Sequence, residues 1–245
     1  MRKGVRIMSK RIKDNLKEFL QVKNSTETTA DLYFYGDIVS DWWGAWGEED
    51  QYPDAVKNFL NSHKDKDLNI YINSGGGSVF AGLAIYNMLK RHNGQKIVYI
   101  DGLAASIASV IALAGDRVIM PKSSMLMIHK PWSWTSGNAT DFRKLAEDLD
   151  EIEKCILAVY EENLKEGIDI ETIKELVDAE TWLTGEEAEK YFNVEIGEEK
   201  QIAACVSDYF EKYTHTPKNL LKRETEPKND IEEQKNKLMM EIDLI

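Results

Sequence analysis

A chain of 245 residues, 42% hydrophobic and 30% charged, is long enough to bury one sizeable core and reads as globular to about residue 200. A formal net charge of −12 argues against nucleic acid as a partner of its body, because neutralising phosphates takes a basic face. No apolar run approaches the ~20 residues that span a bilayer, and the basic residues 1–13 lack the apolar stretch of a secretory signal, so no membrane partner is expected. Cys155 and Cys205 stand beside no His or second Cys at metal-ligand spacing. Cys155 is expected to be a packing residue inside a helix. No metal or cofactor is expected, and a reducing, cytoplasmic setting fits.

Residues 1–30 are polar and basic, with Ile12, Leu16, Phe19 and Leu20 at helical spacing, and predict a short docked helix or arm. Leu32-Tyr33-Phe34-Tyr35 reads as the first strand, with an exit turn at Gly36-Asp37. The loop at 41–47 carries Trp42, Trp43 and Trp46, which mark a contact surface or fold over a local core. A helix is predicted over 52–61 and a strand over 67–73, followed by Ser74-Gly75-Gly76-Gly77-Ser78. The next helix, 79 to about 91, has Phe80, Leu83, Ala84 and Met88 as its expected inward stripe. Residues 97–100 predict a strand that exits into Asp101-Gly102 and small residues, then Ser106 and an apolar helical run to Ala114.

Two more strands are predicted at 117–121 and 125–129, then a long helix over 140–163 with Leu145, Leu149, Ile152, Ile156 and Val159 on one face. Short helices follow near 171–177 and 186–192. Strands alternating with helices across short turns predict an α/β fold with a largely parallel sheet. Three regions result: an arm at 1–30, a domain at 31–197, and a charged extension at 198–245 that is expected to be partly mobile.

Candidate chemistry sits at the turns. A hydroxyl such as that of Ser106, held at a helix start, lies near free backbone N–H groups; the plain alternative is a helix cap. Using serine as a nucleophile takes a base, an orienting carboxylate and an oxyanion site. Of the four histidines, His63 and His92 fall in charged, loop-like stretches and His215 in the extension. His129 ends an apolar strand at the rim of the sheet and is the candidate base. Three consecutive glycines after a strand let backbone N–H groups turn toward a ligand, and neither a P-loop nor a dinucleotide fingerprint is present. Gly77 and Ile107, which follows Ser106, are the candidate oxyanion donors. Asp178 and Glu180 share the turn before Thr181-Trp182-Leu183-Thr184, and both are candidates for the carboxylate. Thr184 is a predicted N-cap before Glu186 and Glu187.

Residues 31–197 resemble the Clp protease proteolytic subunit family of serine peptidases. The resemblance rests on I-N-S-G-G-G-S-V-F-A-G (72–82), G-L-A-A-S (102–106), M-L-M-I-H-K-P (125–131) and E-T-W-L-T-G-E-E-A (180–188), in order. Gly75 stands where the family usually has proline, and Glu180 where it usually has Asp. D-G-L-A-A-S and E-T-W-L-T are similar to the phage and prophage branch, the head maturation proteases. The resemblance implies Ser106 as nucleophile, His129 as base, Glu180 as third member with Asp178 as fallback, and Gly77 with Ile107 as oxyanion donors. It implies a crotonase-like ββα superhelix with 140–163 as the handle helix, and 132–137 lining a substrate groove.

The expected partners are polypeptide substrates (capsid, portal or scaffold proteins), further copies in a homo-oligomeric ring or stacked rings, and an AAA+ unfoldase to supply any ATP dependence. Alternatives that share the fold or the residues are an acyl-CoA hydratase or isomerase, a Ser–Lys peptidase using Lys122 or Lys130, and a catalytically silent assembly factor.

Overall fold

The computed structural model describes residues 25–40, 51–198, 207, 209–210 and 212–218. The predicted arm up to residue 24, the tryptophan loop at 41–47, Cys205 and the extension beyond 218 lie outside these residues. The strands are β1 (Thr29–Phe34), β2 (Asp67–Ser74), β3 (Lys96–Ala105), β4 (Arg117–Pro121), β5 (Met125–Ile128), β6 (Thr181–Thr184) and β7 (Glu195–Gly197). The helices are α1 (Pro53–Ser62), α2 (Val79–Lys90), α3 (Ile107–Ala112), α4 (Ala139–Glu162), α5 (Ile170–Asp178) and α6 (Gly185–Tyr191). The fold is α/β, as expected. The main sheet runs β1-β2-β3-β4-β7, all parallel.

β3 serves two neighbours. Residues 97–99 pair with β4, whereas 103–105 pair with β5, and β6 adds to β5 antiparallel. The sequence predicts that this strand ends at residue 100 in a turn at Asp101-Gly102, but it continues to Ala105. Gly102 is a point of close approach instead, since a Cβ there would come 2.7 Å from the Asn73 Oδ1. β6 and β7 were not predicted. Four and three residues long respectively, they are strands only by virtue of β5 and β4 beside them.

Burial follows the strands. Ile70, Ile72, Val98, Ile100 and Leu126 form the middle of one core with Phe34 and the faces of α1 to α3. The predicted stripe of α2 is rotated. Ala81, Gly82, Ile85, Tyr86 and Leu89 are buried, while Phe80 is 70% exposed. The reason is Gly82, where a Cβ would meet the Ile107 side chain at 2.1 Å. The helix presents its small residues to α3 and comes close there. α4 begins with a capping box, in which Asn138 accepts from the Thr140 and Asp141 N–H groups and Asp141 returns a bond to the Asn138 N–H. Only its C-terminal part is buried, through Ile156, Leu157, Val159 and Tyr160; Leu145, Leu149 and Ile152 are only half-buried. Cys155 is exposed rather than packed. No helix among the described residues is long and apolar enough to cross a membrane.

Phe34 is fully buried at the end of β1. Phe34→Ala should cost about 3–5 kcal/mol, seen as a lowered denaturant midpoint with an unchanged slope.

Candidate active site

Register brings four distant segments to one rim. Ser74 pairs with Ala104, Ala104 with Leu126, and Ile128 with Thr181. The residues leaving β2, β3 and β5, namely Gly75–Gly77, Ser106 and His129, therefore emerge side by side at the carboxyl ends of parallel strands. Such ends are where α/β sheets place ligands. Glu180, immediately before β6, arrives beside His129 because β6 runs antiparallel to β5.

Ser106 joins β3 to α3 with φ 53° and ψ −127°, and its side chain makes no cap bond. Its backbone is clamped on both sides. The Ser106 N–H donates to the Met127 carbonyl at 2.9 Å, and its carbonyl accepts from the Ser109 N–H at 2.9 Å and the Ser109 Oγ at 2.6 Å. The Tyr160 hydroxyl lies 2.8 Å from the Ser109 Oγ, which ties α4 to this support. A non-glycine residue at such φ stores about 1–3 kcal/mol, sustained by the contacts around it. Released from capping, the Ser106 Oγ lies 2.8 Å from the His129 Nε2.

The glycine run faces the serine. Gly76 and Gly77 have φ of 100° and 144°. A Cβ on Gly76 would lie 2.8 Å from the Ser106 Cβ, and one on Gly77 would lie 2.0 Å from the Ile38 carbonyl oxygen. Bonds from the Ile38 N–H to the Gly76 carbonyl and from the Ser78 N–H to the Ile38 carbonyl bracket the turn. Neither the Gly77 nor the Ile107 N–H has a backbone acceptor among the described residues, so both can donate to a ligand atom.

His129 is 9% exposed. Burial holds its imidazole below the ordinary histidine range, and the Glu180 charge partly offsets that. The Glu180 carboxylate makes no hydrogen bond to the imidazole among the described residues. Its two oxygens accept from the Thr214 N–H at 2.8 Å and the His215 N–H at 2.5 Å, and its own φ is 48°. Asp178 is turned elsewhere, in an ion pair with Lys130 at 2.7 Å. That bond to Asp178 raises the Lys130 pKa, the opposite of what a base requires, and Lys122 is paired with Glu186 at 2.6 Å. His63 and His92 bond to the Phe59 and Lys66 carbonyls.

The open cleft beside the serine is lined by Gly77, His129, Trp132, Trp134, Tyr209 and Tyr213. The loop expected to line a groove does so. Tyr209 and Tyr213 come from the extension and were not anticipated. The signal available in the sequence was a cluster of aromatics, Tyr209, Phe210 and Tyr213, in an otherwise polar stretch.

Gly77→Ala should remove most Ser106 reactivity toward a fluorophosphonate, because the new Cβ displaces the turn from Ile38. With the Ser106 hydroxyl 2.8 Å from the His129 Nε2, passing its proton to a neutral imidazole should place the acid limb of that reactivity below pH 6.5, the ordinary histidine value, because burial lowers the His129 pKa. A limb at or above 6.5 would contradict this.

A family model described as Clp protease matches residues 55–195. An ATP-dependent Clp protease proteolytic subunit of Ligilactobacillus salivarius is 38% identical over 137 residues, 54% of this chain and 68% of that protein. The subunit of Bacteroides fragilis is 34% identical over 129 residues, 51% of this chain and 61% of that protein. Subunit 1 of Salinibacter ruber is 34% identical over 127 residues, 51% of this chain and 53% of that protein. The chain thus matches between about half and two thirds of the length of these relatives. With the matched region spanning β2 to β6 and all the strand ends that meet at Ser106 and His129, the chain belongs to the Clp protease family of serine peptidases.

Proposed function

We propose that the chain is a serine endopeptidase in which Ser106 is the nucleophile, His129 the general base, Glu180 the orienting carboxylate, and the Gly77 and Ile107 N–H groups the oxyanion donors. The observation that carries this reading is the 2.8 Å contact between the Ser106 Oγ and the His129 Nε2, made by a serine whose backbone is held out of the capping geometry.

In the reaction the Ser106 Oγ attacks the scissile carbonyl carbon while the His129 Nε2 takes its proton. The carbonyl oxygen gains charge and is met by the two N–H groups. The imidazolium then protonates the departing amine, leaving an ester on Ser106. A water, deprotonated by His129, attacks that ester and releases the acid and the free serine.

Substrates of this kind are unfolded or scaffold segments of structural proteins. The likeness of the Ser106 and Glu180 motifs to the phage branch favours capsid or portal partners and a setting in bacterial cytoplasm. Phe80, Trp132 and Phe142 are exposed on and beside α2 and α4, which supports a homo-oligomeric ring, and an AAA+ unfoldase would supply any ATP dependence. The pairing of Lys130 with Asp178 disfavours a Ser–Lys mechanism, and a hydratase would leave the Ser106–His129 contact without a role.

Ser106→Ala should abolish both peptide hydrolysis and fluorophosphonate labelling while the oligomer persists in sedimentation. Equal labelling of both proteins would refute the assignment. Glu180→Gln should slow turnover by up to about 10⁴, the scale of a lost orienting carboxylate. It should also move the acid limb to lower pH, because the charge that raises the imidazole pKa is gone. Asp178→Asn should change the rate by less than about fivefold, as for an exposed ion pair. A larger loss from Asp178→Asn than from Glu180→Gln would reverse the carboxylate assignment.

A further inference from the structure

Residues 207, 209–210 and 212–218 of the extension return to the candidate site. The Ser207 Oγ donates to the Asp37 Oδ1 at 2.7 Å. Phe210 and Tyr213 are 3% and 7% exposed, in an apolar cluster with Leu103, Ala105 and Met127 of β3 and β5. The Tyr213 ring stands edge-on to the His129 imidazole, centroids 4.9 Å apart, and its hydroxyl donates to the Gly75 carbonyl at 2.5 Å. Burial pushes this phenol well above its ordinary pKa, and the neighbouring Ser106 hydroxyl offsets part of the rise. The Lys212 ammonium lies over the Trp132 and Tyr209 rings at 5.5 and 4.6 Å. Both oxygens of Glu180 are engaged by the Thr214 and His215 N–H groups.

We propose that residues 207, 209–210 and 212–218 belong to an intramolecular strap that keeps the site at rest, with Tyr213 walling the cleft beside Ser106 and the strap backbone drawing Glu180 away from the His129 Nδ1. This deepens the peptidase reading and rests on it. Withdrawal of the strap widens the cleft and frees the carboxylate to take the Nδ1–H bond. Gly75 is what lets the strap seat. A Cβ there would lie 2.2 Å from the Ser207 Oγ and 2.4 Å from the Ser207 Cβ. This is the position where the family resemblance leads one to expect proline. The seated state also carries a cost that favours release. The Trp182 indole N–H, on the ring packed against Tyr213, is buried without an acceptor among the described residues.

The experiment follows fluorophosphonate labelling of Ser106 in the full chain, in Gly75→Ala and in Tyr213→Ala. The first lesion lies in the seat and the second in the strap. Both should label about tenfold faster than wild type, the factor expected if the strap is seated in roughly nine molecules of ten and both variants release it. Their acid limb should move to higher pH, since Glu180 is the charge acting on the imidazole and would now lie closer; Tyr213 is neutral there. A synthetic peptide of residues 207–218 should slow Tyr213→Ala again, and the same peptide with alanine at the tyrosine corresponding to Tyr213 should not. Failure of either variant to accelerate, or an unmoved acid limb, overturns the strap while leaving the peptidase reading in place. Absence of Ser106 labelling in every protein overturns both.

Discussion

The backbone clamp on Ser106 is the constraint on which the rest of the site depends. A serine following a strand and preceding a helix would ordinarily turn its hydroxyl onto the first free N–H groups. Here φ is 53°, the N–H is held by the Met127 carbonyl, and the carbonyl is held by Ser109. Those bonds come from β5 and α3, and α4 supports Ser109 through Tyr160. The strained residue is thus braced by three elements, and the freed hydroxyl meets His129 instead.

The sheet explains how that meeting is arranged. By pairing with β4 along one half and β5 along the other, β3 delivers Ser106 to the strand that carries His129. β6 then runs back along β5 and sets Glu180 beside the imidazole. Each side chain of the proposed triad is the residue just past or just before a strand end. Backbone pairing therefore fixes their separation, and long flexible side chains do not have to do so. The glycine turn after β2 completes the rim because two of its residues have no Cβ to collide with Ser106 and Ile38.

Electrostatics and occupancy of the site are linked. A buried imidazole resists protonation, which suits a base, but without an aligned carboxylate it is less able to carry the proton it accepts. In the strapped arrangement Glu180 serves backbone amides, and its influence on His129 is through charge alone. The same carboxylate is thus available either to the chain's own extension or to catalysis.

Much of this was legible in the residues. Apolar runs marked five of the seven strands and all six helices of the described residues. The order of the glycine run, the G-L-A-A-S turn and the M-I-H strand end singled out Gly77, Ser106, Ile107 and His129, because each motif is a local demand on backbone conformation or on the end of an element. The carboxylate was open between Asp178 and Glu180, since two residues' separation at a turn decides nothing until β6 pairs with β5 and Lys130 takes Asp178. The inward face of α2 was misread for a similar reason: hydrophobicity ranks Phe80 above Gly82, but close packing on Ile107 selects the smaller residue. Sequence by itself determined the α/β class and the family, and singled out the serine and histidine proposed as nucleophile and base. Tertiary structure alone decided the continuation of β3, the choice of partner for Glu180 and the return of Tyr213 to Gly75. That last contact joins residues 138 positions apart, and a bond between one side chain and a distant backbone carbonyl leaves no periodic trace in the chain.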